Sequence, residues 1–277
     1  MIFKTPLTLA LFSAVTILAA CSAKDKEPKK TPTPAPTTKN NPSYKTPTLR
    51  TPSLRNPNVN LPSTGSGTLG VTYSRVRTNL PYIAMTYDDG PHPKNTPRLL
   101  DMLRKRNIKA TFYVTGRNVQ LYPQLTRRIV AEGHEIGNHT WTHRNLKTLS
   151  RAEVRKELNR TRDIIVSTCG VKPRTMRPPY GALRQDQRAW IFKEYGYPTI
   201  LWSVDPEDWK RPGISVVTSR IVNNTRNGGI VLAHDLHKPT VDAMPGTLDG
   251  LLRKGFKFVT VSQLLALSPT TATTAPQ

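Results

Sequence analysis

Residues 82–90 read Tyr-Ile-Ala-Met-Thr-Tyr-Asp-Asp-Gly: six apolar, aromatic or β-branched residues, then two acids, then glycine. A run of that length bounded by a turn signal predicts a buried strand opening into a loop. The pattern recurs at Ala110 to Thr115, Glu135 to Asn138, Thr175 to Arg177, Thr199 to Val204, Gly229 to Ala233 and Phe258 to Val261. Helical segments lie between these runs. Thr96 followed by Pro97 predicts one helix start. Ser150-Arg-Ala-Glu153 predicts another as a capping box ahead of Val154, Leu158, Thr161 and Ile165 at helical spacing. Arg184 to Tyr195, Ser215 to Arg226 and Thr247 to Lys254 are the later helices, with Gly196, Gly228 and Gly255 as stops. Strand alternating with helix about seven times predicts an α/β domain with a parallel sheet, either doubly wound or closed into a barrel. In both architectures the site lies at the C-terminal ends of the strands.

The unusual polar clusters all fall on that rim: Asp88-Asp89, His139 with His143, Arg177 to Gly181, Asp205 to Trp209, and His234-Asp235. Adjacent residues of an extended chain point different ways, so one of the paired acids can hold a metal while its neighbour faces water. Alone, Asp-Asp-Gly-Pro also reads as a plain turn. His139-Thr-Trp-Thr-His143 has the i, i+4 spacing that brings two imidazoles to one face of a helical turn, with two histidines of a polar loop as the alternative. One carboxylate and two imidazoles suit Zn²⁺ best, and Co²⁺, Ni²⁺ or Fe²⁺ fit by ligand type.

TYDDG at 86–90, HTWTH at 139–143, RPPYG at 177–181, DPEDW at 205–209 and LAHD at 232–235, in this order, resemble the NodB-type polysaccharide deacetylases, carbohydrate esterase family 4. The one departure is Tyr87, where Phe is commoner. The resemblance covers residues 80 to 265 and implies a distorted (β/α)7-type barrel that removes acetyl groups from a polysaccharide. It implies Asp89, His139 and His143 as metal ligands and Asp88 as the base that deprotonates the attacking water. Arg177 would pair with Asp88. The backbone N–H of Tyr180 would help hold the oxyanion, and His234 would protonate the departing amine. Asp208, which adjoins Trp209, is favoured over Asp205 as the partner of His234. Trp209 and Leu232 would wall a slot for the acetyl methyl. An O-acetyl esterase with the same site and a non-catalytic glycan-binding lipoprotein are the alternatives. His92 could approach substrate, His134 reads as structural and His237 stays open. Tyr82, Trp190 and Trp202 read as core.

Outside the domain at 71–268, composition changes. Lys4, the apolar stretch Leu7 to Ala19 and Leu18-Ala-Ala-Cys21 resemble a bacterial lipoprotein signal at 1–21, with Cys21 carrying the lipid; an ordinary secretory signal is the other reading. Residues 22–70 are rich in Pro, Thr, Asn and Lys with little to bury, which predicts a disordered spacer. Residues 269–277 form a polar tail. Cys169, left without a partner once Cys21 is lipidated, reads as a small buried hydrophobe. The net charge of +23 includes eight basic and two acidic residues between Ser22 and Pro62. Such a charge favours anionic surroundings. An export signal and the lack of a nucleic-acid-binding motif argue against nucleic acid as partner. The expected molecule is a lipid-anchored, extracytoplasmic monomer acting on a polysaccharide.

Overall fold

The computed structural model describes residues 72–268. The expected signal at 1–21 with Cys21, the spacer at 22–70 and the tail at 269–277 lie outside the described residues. In chain order the elements are β1 (Thr72–Tyr73), β2 (Tyr82–Asp88), α1 (Asn95–Lys105), β3 (Thr111–Val114), α2 (Gly116–Leu121), α3 (Pro123–Ala131), β4 (Glu135–Asn138) and α4 (Arg151–Cys169). There follow α5 (Gln185–Tyr195), β5 (Thr199–Ile200), α6 (Ile214–Asn224), β6 (Ile230–Val231), α7 (Lys238–Arg253), β7 (Lys257–Phe258) and α8 (Val261–Leu265).

β2 is the central strand, parallel to β3, β6 and β7, and β3 is parallel to β4. Single parallel bridges carry the ladder on from Asn138 to Met176 and from Met176 to Thr199 of β5, while Val204 pairs with Val231 of β6. The parallel path thus closes into a barrel. Its distortion has a cause in the sequence. Pro173, Pro178 and Pro179 bracket the expected fourth strand, and Pro198 and Pro206 bracket the fifth. Proline cannot donate to a ladder, so these positions shrink to one or two paired residues.

Period-two alternation along β2 sorts its side chains. Ile83, Met85 and Tyr87 join Leu99, Leu103, Phe112, Met244 and Leu248 in the core beneath the helices. Ala84 belongs to a second cluster with Tyr113, Ile200, Ile230 and Val259. Thr86 and Asp88 continue the Ala84 row, and both accept from the guanidinium of Arg177, which is wholly buried.

α4 forms as the capping box predicts: Ser150 Oγ accepts from the Glu153 N–H (3.3 Å), and Glu153 accepts from the Ser150 N–H (3.0 Å). Val154, Leu158, Thr161, Ile165 and Cys169 make its buried stripe, and Gly170 ends it in the left-handed region at φ 70°. Two helix starts differ from expectation. α1 starts at Asn95, and Thr96 is not its cap; instead His92 Nδ1 accepts from the N–H groups of Lys94 (3.2 Å) and Asn95 (3.1 Å). α7 begins at Lys238, nine residues before Thr247, because burial of Val241, Met244, Leu248 and Leu251 along one face outweighs the break that Pro245 signals. α2 and α3 were not anticipated, although Pro123 at a first helical turn is a start signal.

Candidate active site

Asp88 ends β2 and remains in the ladder, its N–H donating to the Ala233 carbonyl (2.9 Å). Its Oδ1 lies 2.7 Å from Arg177 Nη1. Arg177 also donates to Thr86 Oγ1 (2.7 Å) and to the carbonyls of Ile200 (3.2 Å) and Leu201 (3.0 Å), with Tyr113 packed 4.4 Å from its guanidinium. Every direction the buried cation could take is thereby fixed, and so is the carboxylate it pairs with.

At Asp89 the backbone turns to φ 76°, which ends the strand and directs this side chain toward the histidines. Asp89 Oδ1 stands 3.3 Å from His139 Nε2 and 3.1 Å from His143 Nε2. That oxygen is buried and makes no hydrogen bond. On the far side of the His139 ring, Nδ1 lies 2.7 Å from the Arg177 carbonyl, which can only accept. The proton of neutral His139 is therefore on Nδ1, and Nε2 presents a lone pair. One carboxylate oxygen and two imidazole nitrogens converge within 4.8 Å of one another. Burial would raise the Asp89 pKa, but His139, His143 and His234 hold it well below the usual carboxylate range. Burial works to lower His139, yet the Asp88 charge and the Asp89 contact outweigh it and the net direction is upward; His143, lowered by burial and then by His139, moves the other way. An ionised carboxylate and an orphaned oxygen facing two ring nitrogens fit a divalent cation.

The two histidines do not sit on a helix as their spacing suggested. Residues 139–143 form a loop in which Thr140 (φ 67°) and His143 (φ 59°) are left-handed. Sequence spacing is the same in both cases, but only the turn back at Thr140 aims both rings at Asp89.

His234 follows β6 and forms a parallel bridge with Asp88. Its Nδ1 lies 2.8 Å from Asp208 Oδ1, and its N–H donates to Asp208 Oδ2 (2.8 Å), which also accepts from Thr240 Oγ1 (2.8 Å). Burial would lower the His234 pKa, but the Asp208 hydrogen bond and charge, with Asp88 and Asp89, raise it to about 9. Asp205 is engaged elsewhere: its Oδ1 accepts from the Glu207 N–H (2.8 Å) in an exposed turn.

Tyr180, at φ 60° in a short 3-10 turn, lays its exposed ring against His143 with centroids 4.8 Å apart. Leu232 is buried, whereas Trp209 is 53% exposed with the Lys210 ammonium 5.0 Å from its ring. Trp209 is thus a half-open surface ring in this state. His134 is buried and accepts at Nδ1 from the Ala110 N–H (3.1 Å). The His237 ring lies 6.1 Å from that of His234. Several contributors had no assigned part in the sequence reading. Asn118 donates to the Asp89 carbonyl (2.7 Å) and Thr240 holds Asp208. Asp235 is wholly buried, its carboxylate pressed against Gly90 and bonded to Thr96, and burial pushes its pKa to about 7. Thr86 alone carried a signal, since it shares the face of Asp88 two residues on.

The family profile for Polysaccharide deacetylase matches residues 75–200. The peptidoglycan-N-acetylglucosamine deacetylase PgdA of Listeria monocytogenes is 42% identical over 182 residues, 66% of this chain and 38% of its own length. A chitooligosaccharide deacetylase of Bradyrhizobium is 41% identical over 197 residues, covering 66% of this chain and 90% of the relative. The solved structure of the peptidoglycan deacetylase PdaC from Bacillus subtilis matches with a TM-score of 0.64 at 40% identity, covering 67% of this chain and 90% of that one. The chain belongs to the polysaccharide deacetylase family, with the NodB-type fold of carbohydrate esterase family 4. It spans well under half the length of the Listeria relative.

Proposed function

We propose that the protein is a cation-dependent hydrolase that removes acetyl groups from N-acetylglucosamine-type residues of a cell-envelope glycan such as peptidoglycan, a chitin-like polymer or an exopolysaccharide. The observation that carries this reading is the position of two proton-handling pairs, Asp88–Arg177 and His234–Asp208, beside three converging lone-pair donors. Asp89, His139 and His143 would hold the cation, Zn²⁺ by preference of the donor set, with Co²⁺, Ni²⁺ or Fe²⁺ compatible. When bound it would supply Lewis acidity at the acetamide carbonyl. Asp88, oriented by Arg177, takes a proton from the water whose oxygen attacks the carbonyl carbon. His234 gives its Nε2 proton to the amide nitrogen as the C–N bond breaks, and Asp208 steadies the imidazolium through Nδ1. The products are acetate and a glycan amine. The names of the relatives support N-acetylated glycans as the substrate class. The leader-like residues 1–21 support export with lipid on Cys21, so that the chain acts outside the cytoplasm as an anchored monomer.

The test is acetate release by the purified protein from peptidoglycan, chitin oligomers, polymeric N-acetylglucosamine and acetylated xylan, before and after chelation and with metal added back. Release from the N-acetylated polymers that is lost on chelation and restored by metal is the expected result. Undiminished release by protein verified as metal-free would overturn the reading, and release from xylan alone would convert it to an O-acetyl esterase.

A further inference from the structure

The loop that carries both histidine donors has an unusual source for its hydrogen bonds. Its five N–H groups donate as follows: His139 to the Val114 carbonyl (3.1 Å), Thr140 to Asn138 Oδ1 (2.9 Å), Trp141 to Glu157 Oε2 (2.8 Å), Thr142 to the same Glu157 oxygen (2.7 Å) and His143 to Thr140 Oγ1 (3.1 Å). Only the first goes to another backbone. Two of the five converge on a single carboxylate oxygen from α4, and the other oxygen, Oε1, accepts from Thr142 Oγ1 (2.7 Å). On the opposite side the loop carbonyls of Thr140 and Trp141 accept from the N–H groups of Gly116 (2.9 Å) and Arg117 (3.2 Å) at the start of α2.

We infer that Glu157 is a positioning residue for the cation site: its buried carboxylate folds residues 140–143 into the one shape that aims His143 at Asp89. Successive N–H groups converging on an anion form a concave nest, and this one is filled from within the protein. Charged acceptors make the stronger hydrogen bonds, and Glu157 is the only charged acceptor the loop amides have. Its location suits the task. Glu157 is buried on the face of α4 that also presents Val154 and Leu158, and its own carbonyl accepts from Thr161 Oγ1 (2.9 Å). Trp141 is wedged as a peg between Gly116, where a Cβ would overlap the indole, and the Arg160 guanidinium 4.0 Å above its ring. The two histidines differ in their need for this support. His139 is oriented by the Arg177 carbonyl, but among the described residues no hydrogen bond is made to His143 Nδ1. Ring packing by Tyr180 and His139 apart, the aim of His143 depends on the backbone that Glu157 holds, at a residue whose left-handed φ of 59° a side chain other than glycine rarely adopts unaided.

The inference rests on Asp89, His139 and His143 being the cation ligands, and on nothing about the substrate. The experiment uses the full chain, stripped of metal and titrated with Co²⁺, with affinity and the visible ligand-field spectrum as readouts. Amide hydrogen exchange of Trp141 and Thr142 is followed in the metal-free protein. Glu157→Ala should weaken Co²⁺ affinity about 10-fold or more, the usual scale for losing an outer partner of a metal site, alter the spectrum and expose the two amides to exchange. Glu157→Gln should restore all three, because its carbonyl oxygen can take both N–H groups while its amide donates to the Thr142 hydroxyl. A role confined to helix stability would lower the unfolding midpoint and leave affinity and spectrum of the folded fraction unchanged, which would overturn the inference. If Glu157→Ala does not fold, Glu157→Asp decides, because it keeps the charge but withdraws it by one methylene from the two amides: affinity and amide exchange equal to wild type would overturn it. Failure of the wild-type chain to bind Co²⁺ would instead remove the cation-site reading together with the inference.

Discussion

Burial alone would pull the His234 imidazole below its ordinary range, yet Asp208, with Asp88 and Asp89 behind it, carries it to about 9. Because the folded value lies above the unfolded one of 6.5, the pair stabilises the fold fully below pH 6.5 and loses that contribution as pH rises through 9. The shift corresponds to on the order of 3 kcal/mol. In the metal-free protein, Asp208→Asn should lower the His234 titration seen by NMR and flatten the wild-type decline in unfolding free energy between pH 6 and 10. An imidazole that titrates identically in both proteins would refute the pairing. Turnover tests the same residue differently. His234→Ala and Asp88→Asn should each cost about 10²-fold or more in kcat, the scale of lost acid or base catalysis, while keeping metal. An aryloxide leaves far more readily than an amine anion, so His234→Ala should spare an activated aryl acetate that Asp88→Asn does not. Equal damage to both substrates by His234→Ala would remove its general-acid role. Asp88→Asn carries a second cost, because it leaves the wholly buried Arg177 without its anion, a change that typically destabilises by roughly 3–5 kcal/mol and is readable as a lowered denaturant midpoint.

Secondary-structure elements were legible where they could be argued locally. The strand at Tyr82–Asp88, the strand at Glu135–Asn138 and the α4 capping box follow from short runs of strand-forming residues, the turn residues that bound them and a four-residue motif. Ser150→Ala should accordingly cost about 1 kcal/mol of stability and leave kcat unchanged; a loss of kcat at saturating metal would mean that α4 transmits more than support. The shape of the 139–143 loop was not legible. An HxxxH spacing is satisfied equally by a helical turn and by a left-handed turn, and the choice is made by Glu157, fourteen residues beyond His143 and visible only once α4 packs beside the loop. Asp208 and Asp205 could not be told apart for a similar reason. Both flank the same turn, and only folding shows that Thr240 and the His234 N–H supply partners for one while the Glu207 N–H claims the other.

At the scale of the whole molecule, the proposed lipid on Cys21 and the net charge of the chain would act as two independent tethers, and they can be separated because salt acts on only one of them. The chain carries a net charge of +23, of which eight basic and two acidic residues fall between Ser22 and Pro62. Among the described residues no helix is long and apolar enough to cross a membrane, and the net positive charge would favour attraction of the chain to an anionic surface. Attraction between exposed charges and an anionic surface is screened within about 3 Å at 1 M salt, whereas burial of acyl chains in a bilayer is not weakened by salt. If Cys21 is lipidated as proposed, the wild-type protein should stay in the membrane fraction through a 1 M salt wash. Cys21→Ala should be retained at low ionic strength and released by that wash, with activity on soluble oligosaccharides equal to wild type, since the substitution lies outside the domain that holds Asp88, Asp89 and His234. Fractionation followed by immunoblotting reads both arms. Release of the wild-type protein by salt alone would show that charge is the tether and that no lipid is attached. Salt-resistant retention of Cys21→Ala would place the anchor elsewhere in the chain.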